Sequence, residues 1–138
     1  MRILIVDDES PHRFILEQML KPVGECDLAV SGAEAVELFQ TAHQEGKPYD
    51  FICMDILMPT MDGHETLQRL RALERAWKVP LRKETVVFMV TSVSAEKDVV
   101  DSFFKDGCTD YLIKPVMKHV MMEKLREYGL FARGEGIV

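Results

Sequence analysis

Ile3-Leu4-Ile5-Val6-Asp7-Asp8-Glu9 places four apolar residues directly before three acids. An uninterrupted apolar run this short cannot be an amphipathic helix. It fits a strand covered on both faces, as the central strands of a parallel sheet are. The same grammar recurs downstream. Phe51–Met54 is followed by Asp55, Val86–Val90 by Thr91, and Tyr111–Ile113 by Lys114. A fifth run, Asp27–Val30, is more polar and suits an edge. Longer amphipathic stretches separate the five runs, the alternation of repeated βα units around a parallel sheet.

Helix signals fill the gaps. Ser10 before Pro11 predicts an N-cap with a first-turn proline, and Ser31 with Glu34 predicts a capping box. Ala35, Leu38, Phe39 and Ala42 share one face of the second helix, and Leu67, Leu70, Leu73 and Trp77 one face of the third. Ser94 is placed to cap a fourth helix bearing Val99, Val100, Phe103 and Phe104. Met117, Val120, Met121, Leu125 and Tyr128 stripe a fifth. Pro80 breaks the connection from the third helix to the fourth strand. Between Arg69 and Lys83 lie six basic residues and one acid, read as a solvated helix face in preference to a docking patch.

Composition bounds the rest. The chain has 138 residues, 47% of them hydrophobic, enough for one compact domain. A formal net charge of −6 gives no global positive field, so direct nucleic-acid binding is not expected. The apolar runs fall far short of the roughly 20 residues needed to cross a bilayer, and the N-terminus lacks the pattern of a secretory signal. A cytoplasmic location without membrane insertion is expected. Cys26, Cys53 and Cys108 are widely spaced with no CxxC pair, and read as reduced thiols filling the core. His12, His43, His64 and His119 share no helix at metal-ligand spacing and read as surface residues. The nine methionines read as core packing.

In an open α/β sheet with right-handed crossovers, all strands deliver their carboxyl ends to one edge, where ligands bind. Asp7, Asp8, Asp55, Thr91 and Lys114 therefore converge. Three carboxylates brought together repel, and a hard divalent cation resolves the repulsion. The lysine and hydroxyl beside them make sense if an anion with several oxygens is also placed there. Cation, lysine and hydroxyl can neutralise a phosphoryl group in transfer, with a carboxylate as its nucleophile.

With these residues the chain resembles the receiver domains of bacterial two-component response regulators. The likeness rests on Ile3–Glu9, on Met54-Asp55-Ile56-Leu57-Met58-Pro59-Thr60-Met61-Asp62-Gly63, on Thr91-Ser92 and on Tyr111-Leu112-Ile113-Lys114-Pro115. It implies a five-stranded, doubly wound, flavodoxin-like (βα)5 sheet in the order 2-1-3-4-5. The receiver domain would occupy residues 1–128, with 129–138 a C-terminal tail. Asp55 would be the phosphoacceptor, Asp8 a direct ligand of Mg²⁺ (or Mn²⁺), Asp7 a ligand through water, and the Leu57 carbonyl a further ligand. Lys114 would pair with the phosphoryl oxygens. Thr91 would swing to hydrogen-bond them, and Tyr111 would turn inward as it does. The Lys114–Pro115 bond would be cis. Ser92 departs from the alanine common in the family, and the connection after the third helix is longer than usual.

The resemblance further implies a stand-alone response regulator in a two-component system or phosphorelay. Its donor would be a sensor histidine kinase or a histidine phosphotransfer protein, and its target a downstream protein. It would catalyse only its own phosphorylation and dephosphorylation, and so is not classed as an enzyme. Phosphorylation-dependent homodimer formation is left open. Two rivals fit less well. A phosphatase with an aspartate nucleophile wants an Asp-x-Asp motif at a strand end, and an FMN carrier wants a hydroxyl-rich loop where this chain has acids.

Overall fold

The computed structural model describes residues 1–56, 62–92 and 97–130. Five strands, β1 (Arg2–Val6), β2 (Glu25–Ala29), β3 (Phe51–Asp55), β4 (Val86–Thr91) and β5 (Asp110–Ile113), alternate with five helices. These are α1 (Ser10–Leu20), α2 (Gly32–Gln44), α3 (Gly63–Ala76), α4 (Lys97–Asp106) and α5 (Lys118–Glu127). All the strands pair in parallel, in the order β2-β1-β3-β4-β5. This is the doubly wound order that the resemblance implied.

Side-chain alternation along each strand splits the core in two. Leu4, Val6, Ile52, Met54, Val87 and Met89 face α2 and α3, with Phe103 of α4 in the same cluster. Ile3, Ile5, Phe51, Cys53, Phe88 and Val90 face Leu16 and Leu20 of α1 and Met121, Met122 and Leu125 of α5. Because β1 and β3 are covered on both sides, no residue of either core run could be polar. Phe51 and Phe88 meet edge to face at 4.7 Å across the β3–β4 pair.

Several sequence expectations shift in detail. β2 starts at Glu25 and stops at Ala29, because its register against β1 pairs Arg2 with Glu25 and Val6 with Ala29; Val30 lies outside it, 46% exposed. It is an edge strand, as its polarity foretold. Helix α1 begins at Ser10 itself, so Glu9 and not Ser10 is the N-cap, with no side-chain cap. The reason is upstream: Asp7 Oδ1 accepts the Glu9 N–H at 2.9 Å, which closes the turn one residue early. Ser31 does cap α2, accepting the Glu34 N–H at 3.2 Å. Ser94 lies outside the described residues. Of the α4 stripe only Phe103 is buried, and Met117 and Tyr128 flank α5 as its cap residues.

The helix-three connection differs most from its reading. Arg71 and Glu74 are not solvated: they form a buried pair at 2.6 Å. Arg71 also donates to the carbonyls of Gly107 at 2.9 Å and Thr85 at 2.8 Å, and Glu74 accepts the Thr85 N–H at 2.8 Å. The pair clamps α3 to the residue before β4 and to the turn after α4. Burial thus converts a surface-looking i,i+3 pair into the fastening of the long connection.

The cysteines are free, with Cys53 and Cys108 buried. Desolvation raises all three thiols, Cys26 to about 11 and Cys108 to about 12, which suits inert filler. Met54, Met89, Met121 and Met122 are core residues. Among the described residues, no helix is long and apolar enough to cross a membrane.

Candidate functional site

The carboxyl edge of the sheet gathers the sequence-predicted residues, each for a local reason. Asp7 follows the last residue of β1, and its N–H continues the ladder to Ala29 O at 3.0 Å. Asp55 is the last residue of β3 and Thr91 the last of β4. Lys114 follows β5, held by its N–H to Thr91 O at 2.8 Å, and precedes a cis peptide bond to Pro115. Asp7, Asp55 and Thr91 are 0%, 3% and 1% exposed, so these three groups are withdrawn from solvent.

Within it, Lys114 Nζ lies 3.0 Å from Asp55 Oδ2. Burial pulls the ammonium pKa down. The hydrogen bond and charge of Asp55, followed by the charges of Asp7 and Glu9, more than reverse this and leave Lys114 above its ordinary value. Asp8 is different. As the next residue along an extended chain it turns the other way from Asp7, and it is exposed. Leu57, whose carbonyl the resemblance assigned to the metal, lies outside the described residues.

Thr91 Oγ1 is buried and, among the described residues, has no hydrogen-bond partner. A buried hydroxyl without a partner costs about 1–3 kcal/mol, a cost that an acceptor brought to this place would offset. Behind it a cavity of about 230 Å³ is lined by Thr91, Ser92, Lys97, Val100, Tyr111 and Ile113. Tyr111 is half-buried at this cavity, edge-on to Phe104 at 6.1 Å and beneath Lys124 Nζ at 5.9 Å.

Gly63 sets the floor. A Cβ there would stand 2.7 Å from Ile56 Cα and 3.0 Å from Asp55 O, so only glycine lets α3 start this close to the end of β3. Its N–H donates to Ile56 O at 3.0 Å, and Asp62 caps the helix by accepting the Glu65 N–H at 2.9 Å.

One member of the pocket escaped the sequence reading. His12 is not a surface residue: its Nδ1 meets Asp7 Oδ2, and its Nε2 is buried without a partner among the described residues. Asp7, His12 and Asp55 can each bring one ligand atom within 4.8 Å of the others. His12 has no second histidine on its helix to mark it. The usable signal was a histidine in the first turn of the helix that follows a strand-end acid, where the chain doubles back over the strand. The other histidines also have neighbours. His64 Nδ1 lies 2.5 Å from Asp106 Oδ2, and His43 stacks on Trp77 at 3.8 Å.

The donor set suits a divalent cation. Two buried carboxylates face one ammonium, which leaves net negative charge in low dielectric for a cation to neutralise.

Comparison with known proteins identifies the family. The response regulator receiver domain family matches residues 3–126. The chemotaxis protein CheY of Pseudomonas aeruginosa is 32% identical over 138 residues, covering 99% of this chain and 100% of that protein. In longer relatives the likeness is partial. The chain is 33% identical over 129 residues to hybrid signal transduction histidine kinase L of Dictyostelium discoideum but spans 7% of its length. Among solved structures, it superposes with a TM-score of 0.78 and 26% identity on the co-crystal structure of the Saccharomyces cerevisiae histidine phosphotransfer signaling protein Ypd1 and the receiver domain of its downstream response regulator Ssk1. That match covers 99% of this chain and 95% of the other. With the acids, threonine and lysine gathered at one sheet edge and the family matched across nearly its whole length, the chain belongs to the response regulator receiver domains.

Proposed function

We propose that Asp55 accepts a phosphoryl group from a phosphohistidine of a sensor kinase or a histidine phosphotransfer protein, and that the phosphorylated pocket resets a protein-binding surface. A carboxylate oxygen of Asp55 attacks phosphorus, the P–O bond forms as the P–N bond breaks, and the leaving imidazole takes a proton. Lys114, already on Asp55, neutralises charge on the transferring oxygens, and Thr91 Oγ1 donates to one of them. A Mg²⁺ or Mn²⁺ ion held by Asp7, Asp8, Asp55 and the Leu57 carbonyl would supply the remaining charge neutralisation. The hydroxyl of Thr91 carries this reading: it is a buried donor without an acceptor among the described residues, at the same sheet edge as Asp55 and Lys114.

Movement of Thr91 toward the phosphoryl group opens the cavity behind it to the ring of Tyr111, and the surface around β5 and the helices flanking it changes. The receiver unit runs over residues 1–128; of the expected tail, 131–138 lie outside the described residues. The chemistry serves the protein's own phosphorylation and loss of phosphate. The test is acetyl phosphate with Mg²⁺, read by intact mass. One phosphoryl group should add to the wild type and none to Asp55→Asn. Full labelling of Asp55→Asn would reject the assignment.

A further inference from the structure

We propose that the imidazole of His12 is a ligand in the cation site, giving this pocket a nitrogen donor and a preference for first-row transition ions over Mg²⁺. The proposal rests on the reading that the pocket holds a divalent cation. Three observations carry it. His12 Nδ1 meets Asp7 Oδ2, one ring nitrogen oriented by a carboxylate. Nε2 is buried and has no partner among the described residues, so the ring's second polar atom is dry and unsatisfied. Ligand atoms of Asp7, His12 and Asp55 lie within 4.8 Å of one another. Donors on opposite sides of a cation with bonds of roughly 2.0–2.3 Å stand roughly 4–4.6 Å apart, so a spacing within 4.8 Å is compatible with one shared ion.

The chemistry of such a set differs from that of an all-oxygen pocket. Mg²⁺ demands hard oxygen ligands and keeps its waters, whereas imidazole suits ions such as Ni²⁺, Co²⁺ and Zn²⁺. A carboxylate-bound imidazole is a common ligand arrangement, because the carboxylate fixes the ring and raises its basicity. Binding exchanges the ring's interactions for a metal–nitrogen bond, and any proton held at the liganding nitrogen leaves to solvent.

The experiment titrates purified wild type and His12→Gln with Mg²⁺ and with Ni²⁺ by calorimetry, after thermal melts show that both are folded. Pulsed EPR of the Mn²⁺-loaded proteins then looks for coupling to a directly bound ¹⁴N. Expected are a nitrogen coupling in the wild type that is absent from His12→Gln, and a Ni²⁺-over-Mg²⁺ affinity ratio that falls by about tenfold or more in the variant. An unchanged ratio, or no directly bound nitrogen in the wild type, overturns the proposal. So does an equal fall in both affinities, which would make His12 only an orienting partner of Asp7. If the wild type binds none of the ions, the cation site itself fails along with the proposal; Mg²⁺ binding without a nitrogen coupling fails His12 alone.

Discussion

Replacing Arg71 with methionine isolates the clamp that holds the long α3–β4 connection. Arg71 is 7% exposed and Glu74 2%, and the guanidinium makes three hydrogen bonds, to Glu74 and to the carbonyls of Gly107 and Thr85. Methionine keeps much of the stem and none of the donors. Glu74 would be left buried with the Thr85 N–H as the hydrogen bond that survives from this network. Removing one partner of a buried pair costs about 3–5 kcal/mol, a large part of the 5–15 kcal/mol (roughly) that holds a domain folded. With a urea slope of about 1–3 kcal/mol/M, the unfolding midpoint should fall by about 2 M at unchanged slope. Arg71→Met with Glu74→Leu should recover much of the loss, since no charge is then stranded. A single-mutant loss under about 1 kcal/mol, the worth of a surface pair, would refute the reasoning. A double mutant no more stable than the single would do so too.

Gly63→Ala should lower stability by about 1–3 kcal/mol in thermal or urea unfolding and slow acetyl phosphate labelling, because the new methyl collides with the backbone that carries Asp55; wild-type behaviour in both assays would count against the close approach. Asp7→Asn with Asp8→Asn should abolish the Mg²⁺ response of the melting temperature while raising the metal-free value, through relief of like-charge repulsion. A retained Mg²⁺ response would contradict it. The folded pKa of Lys114 lies above its ordinary value of 10.5, so the stability it adds is fully present below the unfolded value and lost as pH rises through the folded one. In urea melts at increasing alkaline pH, wild type should therefore lose stability faster than Lys114→Gln beyond that point, and parallel losses would dismiss the pair.

The sheet was legible because its central strands left no choice: Ile3–Val6 and Phe51–Met54 are buried on both faces, so every position had to be apolar. The strand-end acids were legible for the same reason, since a charge directly after such a run has only the sheet edge to occupy. The bounds of β2 were not, because an edge strand tolerates polar residues and its ends are set by the register with β1. His12 was hidden by geometry. Its approach to Asp7 depends on how sharply α1 doubles back, and no periodicity records that. Arg71 and Glu74 were hidden by context: the i,i+3 spacing of opposite charges describes a solvated helix face equally well, and only Thr85 and the Gly107 turn closing over them make the pair internal.

Of the ten residues of α4 only Phe103 is buried, while Val99 and Phe104 remain 37% and 45% exposed. A helix with one fully buried side chain opens locally at less than the global unfolding free energy. Its amide hydrogens should exchange well ahead of those of β1, β3 and β4. Because each 1.4 kcal/mol (about) shifts a population tenfold, substitutions at these exposed positions can set how much of the unphosphorylated protein already displays the active surface. The threshold of the signal is then adjustable from outside, by residues that never meet the phosphoryl group.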